Sequence, residues 1–114
     1  MPSETYELFR QAMAERKQVV CTYQGKRREI CPVILGHSDG VEKALTYQFA
    51  GQSSRPLTNP ANRWRCLTLS EVSGVALREG DWHSGGGHSA AQTCVKVVDY
   101  DVNPDSPYDP KGRL

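Results

Sequence analysis

The sequence predicts a mainly β protein, a small antiparallel β-barrel behind one N-terminal α-helix. Three observations predict it. Apolar residues recur at helical spacing only within the first sixteen positions. Beyond them, short apolar runs alternate with polar residues and are punctuated by turn residues, as at Gln24-Gly25 and Asp39-Gly40. The chain has 114 residues, 38% hydrophobic and 24% charged, which suits one domain with one modest core. One helix followed by five or six short strands with tight turns argues for a small barrel.

The helix is expected over 4–16. Ser3 is placed to cap it, and Glu4 and Glu7 lie in the first turn, where the helix dipole favours anions. Leu8, Phe9, Ala12 and Met13 form one apolar stripe that docks the helix on a sheet. Arg16 and Lys17 suit its C-terminal end, and β-branched Val19-Val20 ends the helical preference.

The barrel is expected over 18–77. Val19, Cys21 and Tyr23 alternate along a first strand. A tight turn at Gln24-Gly25-Lys26 leads to a second, Arg27 to Leu35, in which Pro32 implies an edge position or a bend. Asp39-Gly40 signals a hairpin into a third strand, Lys43 to Ala50. A polar loop, Gly51 to Asn62, follows; Pro56 and Pro60 stiffen it, and its length suits function better than mere connection. Trp64 to Leu69 and Val72 to Leu77 read as strands four and five. A loop holding His83, Gly85-Gly86-Gly87 and His88 precedes an extra strand over 93–102. Residues 103–114, with Pro104, Pro107 and Pro110, read as an extended or disordered tail. Residues 1–102 thus form a single domain.

Composition excludes several classes. No run approaches the length of apolar sequence that spans a bilayer, and the N-terminus lacks the pattern of a secretory signal, so a cytoplasmic protein is expected. Cys21, Cys31, Cys66 and Cys94 are widely spaced without a C-x-x-C pair and are expected as reduced, buried thiols. Charge is uneven: residues 10–65 carry ten Lys/Arg against four Asp/Glu, a surplus of six, although the whole chain is only +1. A basic centre hints at an anionic partner.

The run Tyr23-x-Gly25, Arg28-x-x-x-Pro32, Leu35-Gly36, Leu45-x-Tyr47-Gln48, Gly51-x-Ser53 and Trp64-Arg65-x-Leu67-x-Leu69-x-x-Val72 resembles a WYL domain, over roughly Leu8 to Leu77. The resemblance implies an Sm-like, SH3-type β-barrel behind an N-terminal helix. It also implies a bacterial ligand-sensing or nucleic-acid-binding module of the kind found in transcription regulation and phage defence. The chain departs from that pattern in two places. Leu45-Thr46-Tyr47 stands where the naming Trp-Tyr-Leu triplet would be, and Thr68 and Glu71 stand roughly where the family carries arginines. With about twenty residues before the first strand, a stand-alone domain without a helix-turn-helix is expected.

The candidate ligand- or nucleic-acid-binding residues are Arg28, Tyr47, Gln48, Ser53, Arg55, Arg63 and Arg65. Arg28 matches the family's basic position, and its planar fork suits a phosphate. Tyr47 is read either as a stacking platform or as packing, Gln48 as a reader of a base edge, and Ser53 and Arg55 as holders of phosphate or sugar. Alternation puts Arg63 and Arg65 on one face and Trp64 on the other; with Trp64 buried, the arginines face solvent or ligand. His83 and His88 fall short of a metal set, and the triple glycine lacks the following helix that a phosphate loop needs. Cofactors and metals are not expected. No serine sits in a nucleophile elbow and no titratable pair is recognisable, so the expected function is non-enzymatic. It is recognition of a nucleotide, single-stranded nucleic acid or other anion in aid of a partner protein. The alternative is an assembly module acting through exposed barrel edges, as a homodimer or with another protein.

Overall fold

A computed structural model of the chain describes residues 3–51, 64–82, 94–102 and 112–113. One helix, α1 (Glu4–Glu15), leads into β1 (Gln18–Tyr23), β2 (Lys26–Ser38), β3 (Val41–Gly51) and β4 (Trp64–Thr68). A 3₁₀ turn, Leu69–Glu71, joins β4 to β5 (Val72–Arg78); β6 (Val97–Asp101) and β7 (Gly112–Arg113) complete the fold. The mainly β antiparallel architecture is as expected. The sheet runs β4-β3-β2-β1-β5, and among the described residues β4 and β5 do not pair, so the barrel is left open.

Local sequence accounts for the elements. The Ser3 hydroxyl accepts the Tyr6 N–H at 3.1 Å, as an N-cap should. Arg16 ends α1 in the left-handed conformation (φ 55°), and the Lys17 N–H reaches the Ala12 carbonyl at 2.9 Å. The buried stripe is Tyr6, Phe9, Ala12 and Met13; Leu8 is only half-buried. Tyr6 displaces Leu8 because its hydroxyl finds a buried acceptor, donating to Asp99 Oδ2 at 2.6 Å. Both tight turns use two consecutive positive φ angles, 53° and 74° at Gln24-Gly25 and 53° and 80° at Asp39-Gly40. These are the turns whose twist matches a hairpin.

The long strand β2 organises the sheet. It pairs β1 up to Ile30, β3 along most of its length, and β6 from Ile34 to His37. Pro32 falls between the β1 and β6 ladders, at a register shift, so its missing N–H breaks no bond to either. The proline therefore marks a bend, in a strand that is interior to the sheet.

Two apolar clusters lie on opposite faces, as the alternation of Ala44 and Leu45 along β3 requires; Val33 and Ile34 share one cluster where the β2–β3 register shifts between Pro32 and Ile34. Ala44 and Leu67 join Val19, Ile30, Leu35, Leu69 and the α1 stripe on the concave face. Leu45, Val33, Ile34, Val95 and Val98 pack on the other, with half-buried Trp64, Trp82 and Cys94 against them.

One expectation needs correction. Cys66 and Cys94 are joined in a disulfide (Cα–Cα 5.6 Å); only Cys21 and Cys31 are the expected buried free thiols. The second cluster brings Cys94 against the edge strand β4, a proximity that a separation of 28 residues does not announce. Where the expected tail is described, at Gly112–Arg113, it pairs in parallel with β6. No helix among the described residues is long and apolar enough to cross a membrane.

Candidate functional site

The register of the ladders decides which candidate side chains meet. Arg28 sits opposite Cys21, Ile30 opposite Gln48, and Thr46 opposite Arg65. Directly opposed residues share a face, so Arg28, Gln48 and Arg65 all project on the concave side. Tyr47 opposes Trp64 and projects on the other. Its ring is 6% exposed and meets the Trp64 ring edge-on, with centroids 5.3 Å apart. Tyr47 thus performs packing and is not brought to the other candidates.

Arg28 is 3% exposed, an uncommon place for a guanidinium. Its Nη1 donates to Gln48 Oε1 at 3.0 Å, and Gln48, itself fully buried, donates through Nε2 to the Ala50 carbonyl at 3.1 Å. Gln48 therefore holds the arginine from within the sheet. The guanidinium carbon lies 5.5 Å from the centroid of the Tyr23 ring. Arg28 Nε is buried and has no hydrogen-bond partner among the described residues. An unsatisfied donor on a buried cation is costly, and such groups in native structures call for an explanation.

A cleft lies beside it. Tyr23, Gln24, Arg28, Trp64, Arg65, Cys66 and Leu67 line this cleft of about 270 Å³. Two of these residues are guanidinium-bearing, two are aromatic, and none carries a carboxylate. Tyr23 is fixed by accepting the Thr68 N–H at 3.2 Å, with a longer 3.5 Å contact from its hydroxyl to Glu71. Arg65 is steered by the strand: Thr46 Oγ1 donates to its carbonyl at 3.1 Å, and its own Nη1 donates to the Trp64 carbonyl at 3.0 Å. Both Trp64 and Arg65 are half-buried. The alternation expected for this pair holds, but the arginine faces the cleft and Trp64 belongs to the second apolar cluster.

Ser53, Arg55 and Arg63 lie outside the described residues, as do His83, His88 and the three glycines between them. Gly51 and Trp64 bracket the first of these stretches. Gly51 pairs with Arg28 and Trp64 lines the cleft, so the bracketing residues stand at the site. Among the described residues, no group of three or more His, Cys, Asp or Glu side chains gathers as for a metal.

Tyr23, Gln24 and Cys66 were not among the sequence candidates. Tyr23 had a usable signal: the two-residue turn Gln24-Gly25 fixes the β1–β2 register and puts Tyr23 diagonally across from Arg28. A second polar network was also missed. His37 Nδ1 lies 3.0 Å from Asp99 Oδ2, which also accepts from Tyr6, and the Tyr6 and His37 rings stack at 5.8 Å. Burial first, and then the bond to Asp99, push the Tyr6 phenol well above its ordinary range. This network fastens α1 to β6.

No family model, no curated protein and no solved structure matches this chain.

Proposed function

We propose that this chain is a WYL-like binding module whose concave cleft receives the phosphate of a nucleotide or of single-stranded nucleic acid, without bond-breaking chemistry. Binding would regulate or assist a partner protein, as in transcription control or phage defence. One observation carries the reading: a guanidinium 97% removed from solvent, with an unused Nε donor, at the back of a cleft that has a second arginine and no acid. A planar fork held over the Tyr23 ring is suited to a phosphate oxygen. The module works in the cytoplasm on this reading, where a disulfide is exchanged rather than permanent.

The test is the binding of labelled single-stranded DNA and RNA at two salt concentrations, with a parallel search for nucleotides that raise the melting temperature. Affinity is expected to fall as salt rises, because phosphate contacts release counterions. Absence of binding to both polymers, with no nucleotide stabilising the fold, refutes the reading.

A second reading rests on the open edges. Among the described residues β4 pairs only with β3, and β5 only with β1. Each can accept a strand from another chain. Light scattering across a concentration series tests the homo-oligomeric form, and a strict monomer at high concentration removes it.

A further inference from the structure

The Cys66–Cys94 disulfide ties the edge strand β4 to the segment that enters β6. Cys66 is exposed and Cys94 half-buried. Cys66 forms part of the wall of the Arg28 cleft. Both cysteines also line a separate groove of about 610 Å³, together with Lys43 and Lys96. Lys43 Nζ donates to Thr68 Oγ1 at 2.6 Å, and Lys96 Nζ lies 3.0 Å from Asp39, the carboxylate of that groove. Ammonium groups near a disulfide favour a leaving thiolate, and an exposed sulfur admits an attacking one.

We propose that Cys66–Cys94 is an exchangeable cross-link whose redox state sets the affinity of the Arg28 cleft; this rests on reading that cleft as an anion receptor. A low-molecular-weight thiolate attacks Cys66 Sγ, the Cys66–Cys94 bond breaks, and Cys94 leaves as a thiolate that takes a proton from water. A second thiolate attacks the outer sulfur of the mixed disulfide and releases Cys66, which is protonated in turn. Two external thiols are thereby oxidised to a disulfide while the protein disulfide gains two electrons and two protons. The Cys94 thiol then has an acceptor in place, since its Sγ lies 3.5 Å from the Ala44 carbonyl oxygen. The ladder Tyr47↔Trp64, Thr46↔Arg65, Leu45↔Cys66 remains, but this edge strand loses its covalent anchor. Trp64 and Arg65 gain freedom, and ordering them again opposes binding.

The experiment equilibrates the full chain in glutathione buffers of graded thiol-to-disulfide ratio. Maleimide labelling and mass measurement of the folded protein then count open Cys66 and Cys94; buried Cys21 and Cys31 stay silent. A fluorescein-labelled single-stranded oligodeoxythymidine reports affinity, and amide exchange of Trp64–Thr68 reports the strand. We expect the cross-link to open within the glutathione range of a reducing cytosol, with the oxidised chain binding the probe at least threefold more tightly. Cys66→Ser should bind like the reduced chain and lose the redox dependence. A cross-link that survives fully reducing glutathione, or equal affinities of the two forms, overturns the proposal. If neither form binds, the receptor reading is what fails, and exchange decides the rest. A tenfold acceleration over Trp64–Thr68 on reduction supports a redox-controlled strand; unchanged exchange removes it.

Discussion

Replacing Arg28 by methionine separates a guanidinium kept for a ligand from one kept for the fold. Methionine preserves most of the length and the apolar stem, and deletes the charge and its donors. The fold then loses the bond to Gln48, about 1.5–3 kcal/mol for a charged donor. It also loses the approach to the Tyr23 ring, about 0.5–2 kcal/mol. Against this it recovers the desolvation of a cation only 3% exposed, which in real proteins amounts to several kcal/mol. The two sides balance to within about 2 kcal/mol, so Arg28→Met is expected to shift the unfolding free energy by no more than that. Arg28→Ala also removes the stem and should lie about 2–4 kcal/mol below the methionine variant, because buried space opens. Affinity for labelled single-stranded DNA should fall at least tenfold in both. Urea unfolding followed by tryptophan fluorescence gives the stability, and anisotropy gives the binding. A methionine variant that loses more than about 4 kcal/mol shows that the charge itself holds the fold. One that binds as well as the parent places the site elsewhere, and either result refutes the reasoning.

Three further predictions concern the scaffold. Tyr6→Phe removes a buried 2.6 Å bond to Asp99 and should cost about 1.5–3 kcal/mol in urea unfolding, whereas a loss under about 0.5 kcal/mol would mean that the network does not fasten α1. Gly36→Ala would place a Cβ 1.9 Å from the Val97 carbonyl oxygen, so β2 and β6 must part; a loss of about 2–3 kcal/mol or more is expected, and a neutral variant would exclude this β2–β6 register. Burial pushes the Cys21 thiol up to about 11, against a smaller opposing pull from Arg28. Because the folded value lies above the unfolded one, the stability it contributes is full below about pH 9 and is lost as pH rises through about 11. Urea midpoints of the parent should therefore decline more steeply than those of Cys21→Ala over that window, and parallel profiles would contradict the shift.

The sequence shows the elements because their causes are local. Ser3 caps α1 through a hydroxyl three residues from the N–H it accepts. Gln24-Gly25 and Asp39-Gly40 supply the positive φ angles that their hairpins need. Alternation along β1 and β4 separates inward from outward side chains before any partner strand is known. These features identify a mainly β fold behind one helix; the candidate residues come instead from the family resemblance and side-chain chemistry, and of Arg28, Tyr47, Gln48, Ser53, Arg55, Arg63 and Arg65 the described structure brings Arg28, Gln48 and Arg65 to one face.

What local pattern leaves open is which face of each strand is buried, and against what. Those answers depend on ladder register, where a slip of one residue reverses every side chain. Register shifts at Glu29/Ile30 and Pro32/Ile34 intervene between β2 and β3, so counting along the chain cannot tell that Gln48 meets Arg28 while Tyr47 turns away to Trp64. The same holds for the cysteines. Their spacing suggests four isolated thiols, yet packing on the convex face carries Cys94 to within bonding distance of Cys66. Sequence alone determined the elements and the chemistry available. Tertiary structure decided that one arginine would be buried with an unused donor and that one pair of thiols would be joined, because both depend on distances between segments that only the folded sheet brings together.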